Sequence, residues 1–348
     1  MTKGIELAWT NTARTVNDDV IDWQLFSHSR ILITGSTGLV GAQLVRTFLM
    51  ADQNYNLGLR LILPVRNIQK AEKLFFQNPD YKSGCKLIPW DLKEKLPVSI
   101  GFDYAIHAAS PTQSSFFVEY PVQVIDSIIM SSKEILERAR SCSAKKVIFV
   151  SSMEVYGRVD SLAEEEWLGS FDSMNPRNSY PESKRLVECL CASYAKEYGL
   201  DVSVARLAQT FGAGVSRTDS RVFAQFARSV QMGTDIELYT DGSKANPYIS
   251  LDDAVCGLIV LLQKGAKGCA YNIANDETYC SVLEMAQFVV EFFGFEGQSV
   301  LVNVDPKKAG QYPMSSQLRM SSERLKFLGW RPKENLMDMY KDLLASWS

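Results

Sequence analysis

The segment ILITGSTGLVGAQLV, residues 31–45, admits few folds. Aliphatic and β-branched residues run into Gly35, then Gly38 and Gly41 follow at three-residue steps, and an apolar pattern of helical period continues. The order is strand, sharp turn, helix. Gly35 stands where the strand must turn, Gly38 leaves the backbone open to a pyrophosphate, and Gly41 allows close helix–strand packing. An anion there would rest on free N–H groups at the helix start, helped by the helix dipole. The spacing is G-x-x-G-x-x-G rather than G-x-G-x-x-G, and a glycine-rich turn with no ligand would look similar. The position between strand and helix is what favours a dinucleotide site.

The rest of the chain repeats this alternation. Apolar runs at Arg30–Thr34, Leu59–Val65, Cys85–Ile88, Tyr104–His107, Lys146–Ser151 and Val202–Arg206 predict strands. Between them, Gly38–Met50, Pro121–Arg140 and Ser179–Tyr198 predict helices. Alternating β and α argues for an α/β fold with a doubly wound parallel sheet. The runs RLILPV and KVIFVS are apolar at both alternations, as strands buried on both faces should be. After residue 210 glycines and turns multiply, with helices expected at Arg221–Gln231, Leu251–Gln263, Ser281–Phe293 and Asn335–Ser346. The division expected is an N-terminal extension over 1–29, a dinucleotide-binding domain over 30–210 and a mainly substrate-binding domain over 211–348. YNIA, within 269–274, is expected to return to the main sheet.

Composition narrows the function classes. The 348 residues are 46% hydrophobic with a net charge of −3, so nothing favours nucleic acid or an anionic membrane as partner. No stretch approaches about 20 apolar residues, and the N-terminus has no continuous apolar core of a secretory signal. Seven cysteines, with no C-x-x-C, and only two histidines make a metal site improbable and suit a reduced, cytoplasmic protein.

Two further stretches carry chemistry. The second strand ends in VRNIQK, where an NAD site usually has an acid; Arg66 and Lys70 instead suit the 2′-phosphate of NADP, with NAD as the alternative and a solvated helix start as the plain reading. Asp91, after the third strand, fits an adenine acceptor or a turn residue equally. The fifth strand runs into VSSMEVYG, followed by SYPESKR, with Tyr180 and Lys184 four apart and so on one helix face. A phenol is a poor acid/base near neutral pH, and a neighbouring ammonium favours the phenolate.

On these residues the chain resembles the extended short-chain dehydrogenase/reductase family, in its nucleotide-sugar epimerase/dehydratase branch. The likeness spans roughly residues 29–346. It rests on TGSTGLVG, Asp91–Leu92, HAAS at His107–Ser110, SSMEVYG, YPESK, ARLAQTFGAG, YISLDDA, YNIA and LGWRPK. It implies a Rossmann sheet with a smaller α/β substrate-binding domain, a nucleotide-sugar substrate, and a homodimer joined by the helices at Pro121–Arg140 and Ser179–Tyr198. Residue by residue, it implies Tyr180 as acid/base, Lys184 as its activator and ribose ligand, and Ser152 as the hydroxyl on the reacting oxygen. Ser151 fits less well. The implied cofactor residues are Gly35, Thr37, Gly38, Leu39, Val40, Gly41, Asp91, Leu92, Ala108 and Ala109, with Tyr180 and Lys184. Ser110, Ser152, Met153, Gln209, Arg221 and Tyr248 fall on the substrate side.

The departures from the pattern separate the reactions. The 4,6-dehydratases of this branch carry an Asp where this chain has Met153, and a thioether cannot protonate a leaving hydroxyl. Glu154 matches the glutamate of UDP-glucuronate decarboxylases, and DSRVFAQF resembles their segment whose arginine, here Arg221, meets substrate. Asn246 and Pro247 occupy the stretch where the branch often holds phosphate with Arg, with Lys244 nearby. Arg66 and Lys70 put an NADP-dependent keto-sugar reductase first, a C4 epimerase second and a decarboxylase third. A non-catalytic dinucleotide-binding regulator would not need the Ser/Tyr/Lys set.

Overall fold

The computed structural model describes residues 3–76, 80–159, 162–304 and 317–348. Seven parallel strands form the central sheet: β1 (Arg30–Thr34), β2 (Arg60–Val65), β3 (Cys85–Pro89), β4 (Tyr104–His107), β5 (Lys146–Ser152), β6 (Val202–Leu207) and β7 (Ala270–Ile273). Their spatial order is β7-β6-β5-β4-β1-β2-β3. The direction of progression reverses between β1 and β4, the switch point at which such sheets open a crevice for a dinucleotide. The register there sets Thr34 beside His107.

β1 shows why the sheet is covered on both faces. Ile31 and Ile33 pack into one core with the helices Leu39–Tyr55 and Leu251–Lys264. Leu32 packs into a second core with Pro121–Ser141 and Ser179–Glu197. Both faces are therefore dry, as a parallel sheet requires. Observed boundaries lie within a few residues of those expected, and Leu39–Tyr55 runs a turn further, to Asn56 in the left-handed region. β7 pairs with β6 in parallel, so YNIA lies in the main sheet.

The later part of the chain builds a third core from Val222–Met232, Val282–Phe293 and Leu336–Trp347 over short strands. One of these strands, Ala245–Ser250, pairs parallel with Gln209–Phe211 and antiparallel with Asn275–Ser281. That pairing lays the smaller lobe against the C-terminal end of β6.

The N-terminal residues form a helix, Lys3–Val16, between Leu39–Tyr55, Leu251–Lys264 and Leu336–Trp347. Its inner face is Ala8, Asn11, Thr12, Thr15 and Val16, all buried. The polar members are satisfied: Asn11 donates to Asp342 at 2.8 Å, Thr15 to the Asp252 carbonyl at 3.2 Å, and Gln43 reaches Thr12 at 3.2 Å and Asp252 at 2.6 Å. Arg14 places its guanidinium among Asp252, Glu334 and Asp342. Those three carboxylates are the one metal-capable acidic cluster among the described residues, and Arg14 supplies its positive charge. No helix among the described residues is long and apolar enough to cross a membrane.

Candidate active site

The glycine loop closes the C-terminal end of β1 against that of β4. Gly35 has φ +69°, and a Cβ on it would come within 2.8 Å of the Ala108–Ala109 backbone. A Cβ on Gly41 would overlap the Gly35 carbonyl. Gly38 is the extended N-cap of Leu39–Tyr55, with no side-chain cap, so the helix presents its first N–H groups openly. Ser36, wholly buried beside them, has a hydroxyl with no hydrogen-bond partner. Open N–H groups at a positive helix end, a turn too tight for side chains and a spare hydroxyl fit a pyrophosphate. Thr34 ties the two strand ends together, accepting from the Ala109 N–H at 3.2 Å and meeting His107 Nδ1 at 2.7 Å. His107 also meets Ser132 at 3.1 Å, and burial drives its pKa down to about 3, so it is neutral.

At the outer end of the crevice, Arg66 and Lys70 are both exposed. Asp91 accepts from the Lys93 N–H at 3.2 Å, the turn-residue geometry, and Leu92 packs against the second core. Thr37 lies on the loop rim, while Leu39 packs toward the small lobe and Val40 toward the sheet.

The chemistry-bearing groups converge past β5. Ser152 caps the short 3-10 turn Met153–Tyr156, accepting from the Glu154 N–H at 3.2 Å. Tyr180 enters from the first turn of Ser179–Glu197, where Pro181 costs no helical hydrogen bond. Its hydroxyl faces those of Ser152 and Ser110, both of which draw the phenol pKa down. Burial outweighs them and Glu154 adds to it, so the phenol sits above its ordinary value. Ser110 makes no hydrogen bond of ordinary geometry and keeps its oxygen for another partner.

Lys184 lies between β5 and Tyr180. Its ammonium donates to the Val150 carbonyl at 2.8 Å and lies 4.7 Å over the Phe149 ring. It also lies over the Tyr180 ring, 5.7 Å from its centroid. Burial lowers its pKa to about 7, partly opposed by Glu188.

Three residues expected on the substrate side are enclosed or engaged by their neighbours in this structure. Tyr248 is a core residue, 1% exposed, with its ring edge against Phe211 and its hydroxyl unpartnered. Strand Ala245–Ser250 is buried along its whole length, so the aromatic has no free face. Met153 is likewise buried, packed in the first core. Arg221 is engaged by Asp219 through two nitrogens, the nearer at 2.7 Å, and lies over Phe223 rather than standing free. Gln209 is half-buried beside Tyr248 in the sheet register. Ser151 donates to Glu188 at 2.5 Å; Glu188 also pairs with buried Arg206 at 2.7 Å.

Three residues in this cluster went unread or nearly so in the sequence. Arg177, on the turn before Tyr180, donates from both terminal nitrogens to Glu154 at 3.3 Å. Phe117 stacks flat on Tyr180, centroids 4.4 Å apart and planes 6° off parallel. Lys244 comes from the small lobe, faces Glu154 and Arg177, and has its pKa lowered by burial. A cation in a region of strands and loops has no periodicity to reveal where it points.

A chain with a glycine loop shaped for a pyrophosphate, opening onto a buried tyrosine flanked by serine hydroxyls, matches the family described as NAD dependent epimerase/dehydratase family over residues 31–274. The chain belongs to that family. It is an enzyme family of NAD-dependent, sugar-nucleotide-directed members, and this chain is 27% identical over 305 residues to UDP-glucuronic acid decarboxylase 1 of Xenopus tropicalis, covering 87% of this chain and 68% of the relative. It is 29% identical over 262 residues to UDP-glucuronic acid decarboxylase 1 of Danio rerio, covering 75% of this chain and only 60% of that relative. Among solved structures, a dTDP-glucose 4,6-dehydratase from Streptomyces venezuelae with NAD bound superposes with a TM-score of 0.75 at 20% identity, covering 91% of this chain and 96% of the other, a likeness of fold.

Proposed function

We propose that this family member acts on a nucleotide-linked sugar, oxidising a ring hydroxyl to a ketone that is then re-reduced in the same site. The observation that carries the reading is the Tyr180 hydroxyl set against Ser152 and Ser110 at the mouth of the dinucleotide crevice. Nicotinamide, when bound, accepts and returns hydride. Tyr180 takes the proton from the reacting hydroxyl as hydride departs and returns it on re-reduction. Ser152 and Ser110 orient the oxygen between them. Lys184, mobile in charge because its pKa is near 7, is suited to swing its ammonium onto the ribose and phenolate when cofactor fills the crevice. Lys244 is suited to hold a substrate anion in place of the arginine common in this branch. The buried thioether of Met153 offers no acid for dehydration.

NADP in place of NAD is a second reading of the cofactor, favoured by the exposed Arg66 and Lys70 at the end of β2. A net reductase would follow from it. Residues 30–210 are proposed as the dinucleotide-binding unit, 211–348 as the substrate-binding one. Homodimerisation is proposed through Pro121–Ser141 and Ser179–Glu197, which leave Val122, Ile125 and Leu186 exposed.

The test offers purified protein UDP-glucose, UDP-galactose and UDP-glucuronic acid with NAD or NADPH, and follows sugar products by mass and NMR alongside nicotinamide absorbance. A redox-neutral product with no net NADH supports the reading; stoichiometric NADPH consumption supports the reductase. Tyr180→Phe should lower kcat by roughly 10²–10⁴-fold with cofactor affinity little changed. A Tyr180→Phe protein that turns over like the parent would end the mechanism.

A further inference from the structure

The ionisable groups around Tyr180 come from five directions. Helix Ser179–Glu197 supplies Lys184, bonded to the Val150 carbonyl. The 3-10 turn after β5 supplies Glu154, and the 3-10 turn Pro176–Asn178 supplies Arg177. β4 supplies His107, neutral, and the small lobe supplies Lys244, facing Glu154 and Arg177. The remaining contacts are uncharged: the hydroxyls of Ser110 and Ser152 and the Phe117 ring.

Arg177 is tied on two sides. Both terminal nitrogens donate to one oxygen of Glu154 at 3.3 Å, and its guanidinium carbon lies 5.2 Å from the Phe117 centroid. Phe117 lies in turn flat on Tyr180. A planar cation seated on an aromatic face is held in orientation as well as attracted. Glu154 and Arg177 are each about a quarter exposed at the side chain, so the pair borders the crevice rather than the core.

We propose that Arg177 is a positioning residue for the chemistry at Tyr180: seated on Phe117 and tethered by Glu154, it sets a fixed positive charge beside the phenol that counters the Glu154 carboxylate. The inference rests on the role given to Tyr180 above. Glu154 and the phenolate are like charges, so an unopposed Glu154 holds the proton on Tyr180. Arg177 cancels that field without touching the reacting oxygen. The two have opposite effects on the phenol in this structure, Glu154 raising its pKa and Arg177 lowering it.

The experiment labels tyrosine with 13C at Cζ, assigns Tyr180 by its loss in Tyr180→Phe, and follows its resonance against pH in NAD-saturated protein. Arg177→Met should move the phenol titration upward by about one pKa unit, and Glu154→Gln should move it downward. Arg177→Lys should recover most of the parent curve, and the double variant should lie between the singles. The pH profile of single-turnover hydride transfer should shift in the same order. Coincident titration curves for Arg177→Met and Glu154→Gln would overturn the proposal, as would an Arg177→Lys curve matching Arg177→Met. If Arg177→Met fails to fold, Glu154→Gln against the parent decides alone: an unmoved or raised titration overturns it. The resonance needs no substrate, so a failed search for substrate leaves this result standing on its own.

Discussion

Replacing Lys184 by Met should make the cofactor-free protein more stable near neutral pH while damaging its activity. Lys184 is fully enclosed, and its pKa falls from 10.5 to about 7 through burial. Between pH 7 and 10.5 the folded state therefore holds fewer protons than the unfolded chain. Stability rises with pH across that window, and the cost of the buried ammonium is full below it. At about 1.4 kcal/mol per pKa unit, the cost at pH 7 is about 4 kcal/mol. Removing the amine leaves the Val150 carbonyl without its donor, a loss of about 1 kcal/mol. The net gain expected is about 3 kcal/mol at pH 7, shrinking toward zero by about pH 10. Urea unfolding of parent and variant, at matched pH values from about 6.5 to 10, measures this difference. Taking the difference between the two proteins removes groups common to both. A variant no more stable than the parent at pH 7, or a difference that does not change with pH, would refute the reasoning.

Gly41→Ala should destabilise the loop by about 1–3 kcal/mol, because its Cβ meets backbone that has nowhere to move; calorimetry and NAD titration should show a lower Tm and weakened binding together. Arg206→Leu should cost about 3–5 kcal/mol in urea unfolding, since it strands Glu188 among buried groups. Arg66→Ala should weaken NADPH far more than NADH, each charge-assisted contact being worth about 1.5–3 kcal/mol; equal loss for both, by fluorescence titration, would remove the NADP reading.

The sheet was legible because its strands are buried on both faces and so appear as unbroken apolar runs. The glycine loop was legible because backbone geometry there leaves no choice of residue. Helix Lys3–Val16 was not, because its buried face consists of Ala8, Asn11, Thr12 and Thr15, small or polar residues that satisfy one another by hydrogen bonds. Apolar periodicity does not register such a face. The Tyr180–Lys184 spacing correctly put both on one helix, but spacing along a helix does not tell which acceptor a long side chain will choose. Tyr248 read as a substrate aromatic by its neighbours in sequence, whereas register with Gln209–Phe211 carried it into the core. Arg177 and Phe117 acquire meaning only when the turn before Tyr180 and the short helix Ser114–Glu119 meet.

The contact between Lys3–Val16 and Leu336–Trp347 bears on how the chain must be made. The ribosome delivers about 5–20 residues each second, so some 320 residues separate the first helix from the last of its partners by roughly 15–60 s. Through that interval Asn11 and Arg14 lack Asp342, their common partner, and for the shorter time between residues 207 and 270 β6 waits with a bare edge for β7. A nascent chain in this condition is a substrate for holding chaperones and for proteases. Slowing translation over the codons between β7 and helix Leu336–Trp347 should therefore lower the yield of folded protein more than slowing it over those for β1 and β2.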